Sequence, residues 1–327
     1  MEVFLAPNPI LYASALILGL IVGSFLNVLI LRLPKMYAQS WRDEGAFNLC
    51  ESAIKACPKC HHHYDLDEAP TTVSSISAQS ECPHCHQNEQ FMLYDCAIEN
   101  ERPAYNLIKP DSHCPNCDRP IRAWENIPVL SYLFLRGRCA GCATSISIRY
   151  PTVELITGIL TLLLTLHYGF TLQALAAIVL VWGLIALTMI DYDHYILPDQ
   201  LTLPLMWLGI IVNMQGMFTP LTDSLWGAIF GYLSLWSVYW IYKLLTGKEG
   251  FGAGDFKLLA MLGAWMGWQY LFLIILLSAF VGSIIGLSLI VGGRNKDKHI
   301  PFGPYLAGAG AIALIWGNDI IAFYWQI

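Results

Sequence analysis

Apolar residues fall along this chain in long, nearly unbroken blocks. The first, Ile10 to Leu31, holds no charged side chain. At about 1.5 Å rise per residue it is long enough to cross a hydrocarbon core of roughly 30 Å as a helix. Seven more follow at roughly 153–168, 171–190, 200–216, 221–245, 256–267, 268–291 and 303–326, separated by Gly, Pro, Asn and charged breaks. The pattern predicts an all-α polytopic membrane protein with about eight transmembrane helices. The block 256–267 is short and needs polar or re-entrant backbone at its ends to cross. The first block opens after Glu2 and closes on Arg32 and Lys35, the reverse of a cleavable signal peptide, so it reads as a retained helix whose end faces the cytoplasm.

Composition sharpens this picture. Of the 327 residues 56% are hydrophobic and only 13% charged, about half the charge of a soluble domain. Residues 32–150 hold 12 of the 18 Lys+Arg, 14 of the 24 Asp+Glu and all ten cysteines. Three regions result: a first transmembrane helix at 1–31, a water-facing cysteine-rich domain at 32–150, and a transmembrane domain at 151–327. A net charge of -6 and a pI near 5.8 argue against a nucleic-acid partner. With eight spans and residues 32–150 in the cytoplasm, Lys243, Lys248, Lys257, Arg294, Lys296 and Lys298 fall on that same side, and the outer loops carry no Lys or Arg.

Four Cys-x-x-Cys pairs stand in the polar domain. They form two tetrads, Cys57, Cys60, Cys82 and Cys85, then Cys114, Cys117, Cys139 and Cys142, each with 21 residues between its pairs. That spacing is close to a four-thiolate zinc ribbon. A disulfide or thioredoxin-type redox reading is the alternative; it needs an oxidising compartment or a βαβ pattern, and neither is evident. Four thiolates close the coordination shell, so the expected metal role is structural, with one or two ions per chain. The first tetrad lies in looser sequence with rival ligands at His61, His62, His63, His84 and His86.

Acidic side chains beside spans need a reason, because an aspartate at a span's centre costs about 2.5 to 3.5 kcal/mol. Asp191, Asp193 and Asp199 end the third block and open the fourth, and Asp255, in Gly252-Ala253-Gly254-Asp255, opens the sixth. One helical hairpin separates them, so both groups return to the cytoplasmic face. Two carboxylates at a low-dielectric boundary tend to share a proton, and the pair can then activate water and protonate a carbonyl. Asp199, after Pro198, reads as an ordinary helix start, and Asp193 as a solvated or supporting group. Asp191 and Asp255 are the expected catalytic pair. Glycines 252 and 254 would allow close backbone approach beside Asp255.

Gly252-Ala253-Gly254-Asp255-Phe256-Lys257 resembles the Gly-x-Gly-Asp motif of intramembrane aspartic proteases. The run from Asp191 through Leu197-Pro198-Asp199 to Pro204 resembles its partner in the type IV prepilin peptidases. Gly23-Ser24-Phe25-Leu26-Asn27-Val28, Arg32-Leu33-Pro34, Asn126-Ile127-Pro128 and Arg149-Tyr150-Pro151 extend the resemblance over nearly the whole chain. It implies a bifunctional enzyme of the bacterial inner membrane. Such an enzyme cuts the basic leader from type IV prepilins and type II secretion pseudopilins, then methylates the new N-terminal residue with S-adenosyl-L-methionine. The family has one cysteine tetrad, matched here by the second, so residues 43–104 read as an extra insertion. No Gly-x-Gly-x-x-Gly turn in a βαβ setting offers a methyl-donor site; the Gly23–Pro34 stretch and the cysteine segment are the candidate region, and Glu154 reads equally well as a helix first-turn acid. Two other classes fit less of the chain. An ion- or proton-coupled transporter would place its acids near the midplane within repeats, and a zinc-bearing scaffold leaves Asp191 and Asp255 without a purpose.

Overall fold

The computed structural model describes residues 9–52, 78–81, 88–91, 106–109, 111–247, 252–292 and 301–325. These divide into two compact units, one of Met1–Pro34 with Asp111–Ile327 and one of Lys35–Pro110. Helix α1 is Pro9–Ser52. It continues well past Leu31, where the apolar block ends, and carries Pro34 within it. In the second unit, β1 (Ala78–Glu81) and β2 (Asn88–Phe91) pair antiparallel, with Ala78 opposite Phe91; they form the only sheet among the described residues. The first cysteine tetrad, Cys57, Cys60, Cys82 and Cys85, lies outside the described residues.

The first unit is helical. A five-residue turn of helix, α2 (Leu130–Phe134), precedes α3 (Arg149–Tyr168), α4 (Leu172–His194), α5 (Asp199–Asn213), α6 (Leu221–Thr246), α7 (Ala253–Met266), α8 (Leu271–Val291) and α9 (Gly303–Trp325). Each of the eight apolar blocks thus falls on a helix. Five segments are long and apolar enough to cross a membrane: Pro9–Ser40, Arg149–Tyr168, Leu172–His194, Trp268–Leu289 and Gly303–Phe323. Of the others, α5 and α7 have 15 and 14 residues, about 23 and 21 Å at helical rise, and α6 is diluted by Ser, Thr, Trp and Tyr.

Helix α7 is the centre of the unit. Leu258, Leu259, Met261, Leu262, Ala264 and Trp265 are fully buried, and apart from Lys257 the buried positions run unbroken from Asp255 to Met266. A helix apolar on all sides belongs inside a bundle. Helix α6 crosses it so closely that Gly227 meets the Gly263 backbone with no room for a methyl group, and Gly231 meets Leu259 and Ala260 likewise. Small residues four apart allow this approach in membrane helices. The far end of α7 is closed by side chains: Asn213 Nδ2 donates to the carbonyls of Ala264 and Trp265, both at 2.9 Å, and its Oδ1 accepts from the Phe218 and Thr219 N–H groups. Ser224 Oγ donates to Ala264 O at 2.5 Å. These bonds satisfy carbonyls that a helix end leaves open.

Candidate active site and thiolate cluster

Asp191 lies in the last turn of α4, which ends when Tyr195 turns left-handed (φ 58°) and its N–H bonds to Asp191 O at 2.9 Å. Asp255 lies in the first turn of α7, behind Gly252 as N-cap, with its own N–H on Gly252 O at 3.1 Å. The helix dipole favours a carboxylate there. Both side chains are withdrawn from solvent, at 6% and 7% residue exposure, and they lie within electrostatic reach of each other.

The two acids differ in their support. Asp191 Oδ2 accepts the Gly303 N–H at 3.0 Å, at the start of the 23-residue helix α9. A methyl group on Gly303 would lie 2.6 Å from that oxygen, so the α9 backbone is seated against the carboxylate. Gly254 lets α7 approach the α4–α5 loop, its Cβ position lying 2.8 Å from Leu197 Cβ. The nearest atom to a Cβ on Gly252 is Asp255 Oδ2 at 3.8 Å, which leaves space over the acid.

Ion pairs flank this pair on two sides. Lys257 Nζ bonds to both oxygens of Asp199, at 2.7 and 2.8 Å, tying α7 to the first turn of α5. Asp199 is thus the helix-start acid that its sequence context suggests, with a cationic partner besides. Asp193 pairs with Arg149 at 2.5 Å, joining the ends of α4 and α3. Among the described residues, Asp191 and Asp255 are the buried aspartates at this end with no cation of their own. Two such carboxylates can divide one proton between them, giving a base and an acid side by side.

The second cysteine tetrad closes into one cluster. The four sulfurs lie within 4.8 Å of one another, and Cys114 Sγ and Cys142 Sγ are 3.8 Å apart. A tetrahedral zinc with Zn–S near 2.3 Å requires sulfurs about 3.8 Å apart, so the donor set fits that ion. The two knuckles repeat one construction. In the first, Cys114 N–H bonds to Arg119 O and Asp118, left-handed, returns its N–H to Cys114 O; in the second, Cys139 and Thr144, then Ala143 and Cys139, do the same. The thiols are electrostatically unequal. Thr144, through its hydroxyl and backbone, and Asn116 pull Cys142 down to about 5. The N–H groups of Cys142 and Gly141 lower Cys139. Cys117 is helped by the Arg119 backbone, yet desolvation and the neighbouring thiols Cys142, Cys114 and Cys139 outweigh it and push it up to about 11. Thiols this close resist joint ionisation unless a cation sits among them.

Two family models match the chain, the Type IV leader peptidase family over residues 178–287 and the Bacterial Peptidase A24 N-terminal domain over 17–94 and 89–168. The prepilin leader peptidase/N-methyltransferase of Stutzerimonas stutzeri is 48% identical over 325 residues, covering 99% of this chain and 97% of that protein. This chain belongs to the type IV leader peptidase family. The enzyme of the same name from Pseudomonas aeruginosa is 46% identical over 99% of this chain and 97% of its own length, and that from Neisseria gonorrhoeae 43% over 96% and 93%. No solved structure matches the chain.

Within the leader peptidase family, the first model covers both Asp191 and Asp255, and the second covers α1 from residue 17 onward, the thiolate cluster and α3. The residues of the Gly23–Pro34 stretch are engaged in packing: Gly23 admits the Glu154 backbone of α3, and Asn27 Nδ2 donates to Tyr150 O at 3.1 Å. Glu154, buried, accepts the Val129 N–H at 2.8 Å and so anchors the chain before α2. Gly303, Lys257 and Arg149 were not singled out as site residues by sequence. Lys257 had a signal, a cation two places after Asp255 that needs an acid partner. Gly303 had none beyond a helix start.

Proposed function

We propose that this chain removes the basic leader from type IV prepilins and type II secretion pseudopilins at the cytoplasmic face of the bacterial inner membrane, and then methylates the exposed N-terminal amine. The observation that supports the peptidase assignment is that Asp191 and Asp255, at the end of α4 and the start of α7, are both buried and lie within electrostatic reach of each other. The Gly303 N–H favours the charged form of Asp191, so Asp191 acts as the base that takes a proton from water, and Asp255 carries the proton given to the scissile carbonyl oxygen. The resulting gem-diol collapses as the proton returns to the leaving amine. An apolar helix in the bilayer with a basic leader in the cytoplasm would bring its scissile bond to this end of the bundle.

Cys114, Cys117, Cys139 and Cys142 would hold one zinc ion, which cross-links the two knuckles and stabilises a segment too short to fold on apolar burial alone. The methyl donor is S-adenosyl-L-methionine, in keeping with the N-methyltransferase named in the relatives. It supplies an electrophilic methyl group to the N-terminal nitrogen. The test is cleavage of a prepilin by purified Asp191→Asn and Asp255→Asn variants, with methylation of pre-cut pilin measured alongside. Loss of cleavage with methylation intact is expected; cleavage retained by either variant overturns the pair.

A further inference from the structure

The segment between the two cysteine knuckles exposes an unusual amount of apolar surface. Within eleven residues, Trp124, Ile127, Leu130, Leu133 and Phe134 are all exposed, Leu133 at 64% and Phe134 at 84%. Leu130, Leu133 and Phe134 belong to α2. A water-facing domain has no reason to present them.

The depth of this segment is fixed by a hydrogen bond. Val129, immediately before α2, gives its N–H to Glu154 Oε2 at 2.8 Å, and Glu154 stands five residues inside α3, about 7.5 Å along the helix from Arg149. Val129 makes that contact with a positive φ of 59°, a conformation that a β-branched residue seldom adopts unless its surroundings hold it there. The chain is therefore drawn down beside the first turns of a membrane-spanning helix before α2 begins. On leaving α2 it turns through Arg136, Gly137 and Arg138: the Gly137 N–H returns to Tyr132 O at 2.9 Å, and glycine is required because a side chain would strike the Tyr132 ring. Arg136 and Arg138 are exposed with no carboxylate partner among the described residues. Arg122 lies over the Trp124 ring, 5.2 Å from its centroid.

We propose that α2, with Trp124 and the Arg136–Arg138 turn, is an interfacial anchor that seats the cysteine cluster on the bilayer, its apolar side chains at the acyl boundary and its arginines on anionic lipid phosphates. Aromatic and leucine side chains bordered by arginine match the chemistry of that boundary, and the arginines extend from it to the phosphates. The inference rests on the reading that Arg149–Tyr168 crosses the membrane.

The experiment uses the full-length protein in nanodiscs of phosphatidylcholine and phosphatidylglycerol whose acyl chains carry bromine near the headgroup. Three variants each add one tryptophan: Phe134→Trp in the anchor, Ser112→Trp on the exposed ribbon, and Leu155→Trp on the outward face of α3. Emission is read as the difference from the parent protein. The added tryptophan at 134 is expected to lose about half its emission or more, as at 155, while that at 112 is little changed. Exchange of Arg136 and Arg138 for glutamine should remove the dependence of the 134 signal on phosphatidylglycerol. Quenching at 134 no greater than at 112, with 155 quenched, overturns the anchor and leaves the spanning reading intact; no quenching at 155 overturns the spanning reading itself. Relief of the 134 quenching by added prepilin would assign the surface to substrate instead and also overturn the proposal.

Discussion

Gly303→Ala is the substitution that most directly probes how Asp191 is held. The new methyl carbon would stand 2.6 Å from Asp191 Oδ2 and 3.1 Å from its Cγ, where an ordinary carbon–oxygen contact is about 3.3 Å or more. The carboxylate must withdraw by about 0.7 Å, which takes the 3.0 Å bond from the Gly303 N–H beyond hydrogen-bond range. A hydrogen bond to a charged group is worth about 1.5–3 kcal/mol. If that support serves the ionised base in the reaction, kcat for leader cleavage should fall roughly 10- to 150-fold, with KM nearly unchanged because no substrate contact is altered. Gly308→Ala on the same helix is the control: nothing lies within 4 Å of its Cβ position, and activity should stay within about two-fold. Purified variants are assayed for prepilin cleavage over a range of substrate concentrations, for methylation of pre-cut pilin, and for thermal unfolding in detergent. A Gly303→Ala enzyme with unchanged kcat, or one whose methylation and melting temperature fall together with cleavage, would refute the reasoning.

Asn213→Ala strips the partner from Trp265 O and from two N–H groups at the buried end of α7, while Ala264 O keeps its bond from Ser224, and with about 1–3 kcal/mol for each group left unsatisfied it should lower the thermal midpoint more than any surface change; an unaltered midpoint would mean that water replaces the side chain. Lys257→Met breaks a half-exposed ion pair with Asp199 and should cost about 1 kcal/mol or less, read by the same melt. Arg119 holds the Glu125 carboxyl below its usual range through a 2.7 Å bond. A depressed carboxylate stabilises the fold above its unfolded pKa and loses that contribution as pH falls through its folded value. The protection of amides around residues 119–125, taken relative to the intrinsic exchange rate at each pH, should therefore fall on acidification below about pH 4.5, and Arg119→Gln should remove the effect.

Much of this architecture was legible because membranes simplify the code. A block such as 172–190 has one stable solution in lipid, and all eight blocks fall on helices. The thiolate cluster was equally readable, since Cys-x-x-Cys dictates a local knuckle and two knuckles in one segment have a common use. The brevity of 256–267 was visible as well, but its cause was not. Helix α7 stops where Gly267 turns to a positive φ of 90°, and so short a helix can lie buried because Asn213, Ser224 and Gly227, which look unremarkable in sequence, close its end and admit its neighbour. The bond from Gly303 to Asp191 crosses 112 positions and uses a backbone donor, so no side-chain pattern could announce it. Charge scarcity gave a partial hint for Lys257 and Arg149, whose acids had to lie nearby, without saying which acid belonged to which cation.

Helix α7 is fixed at both ends, by Asn213 and Ser224 at one and by Lys257 and the Gly254–Leu197 contact at the other. A rod clamped in this way cannot slide along its axis or turn about it. Its length therefore works as a gauge that sets how deep Asp255 lies and which way it points. One residue inserted near Met261 would advance the acid by about 1.5 Å and rotate it by about 100°, with every side chain of the pair still present.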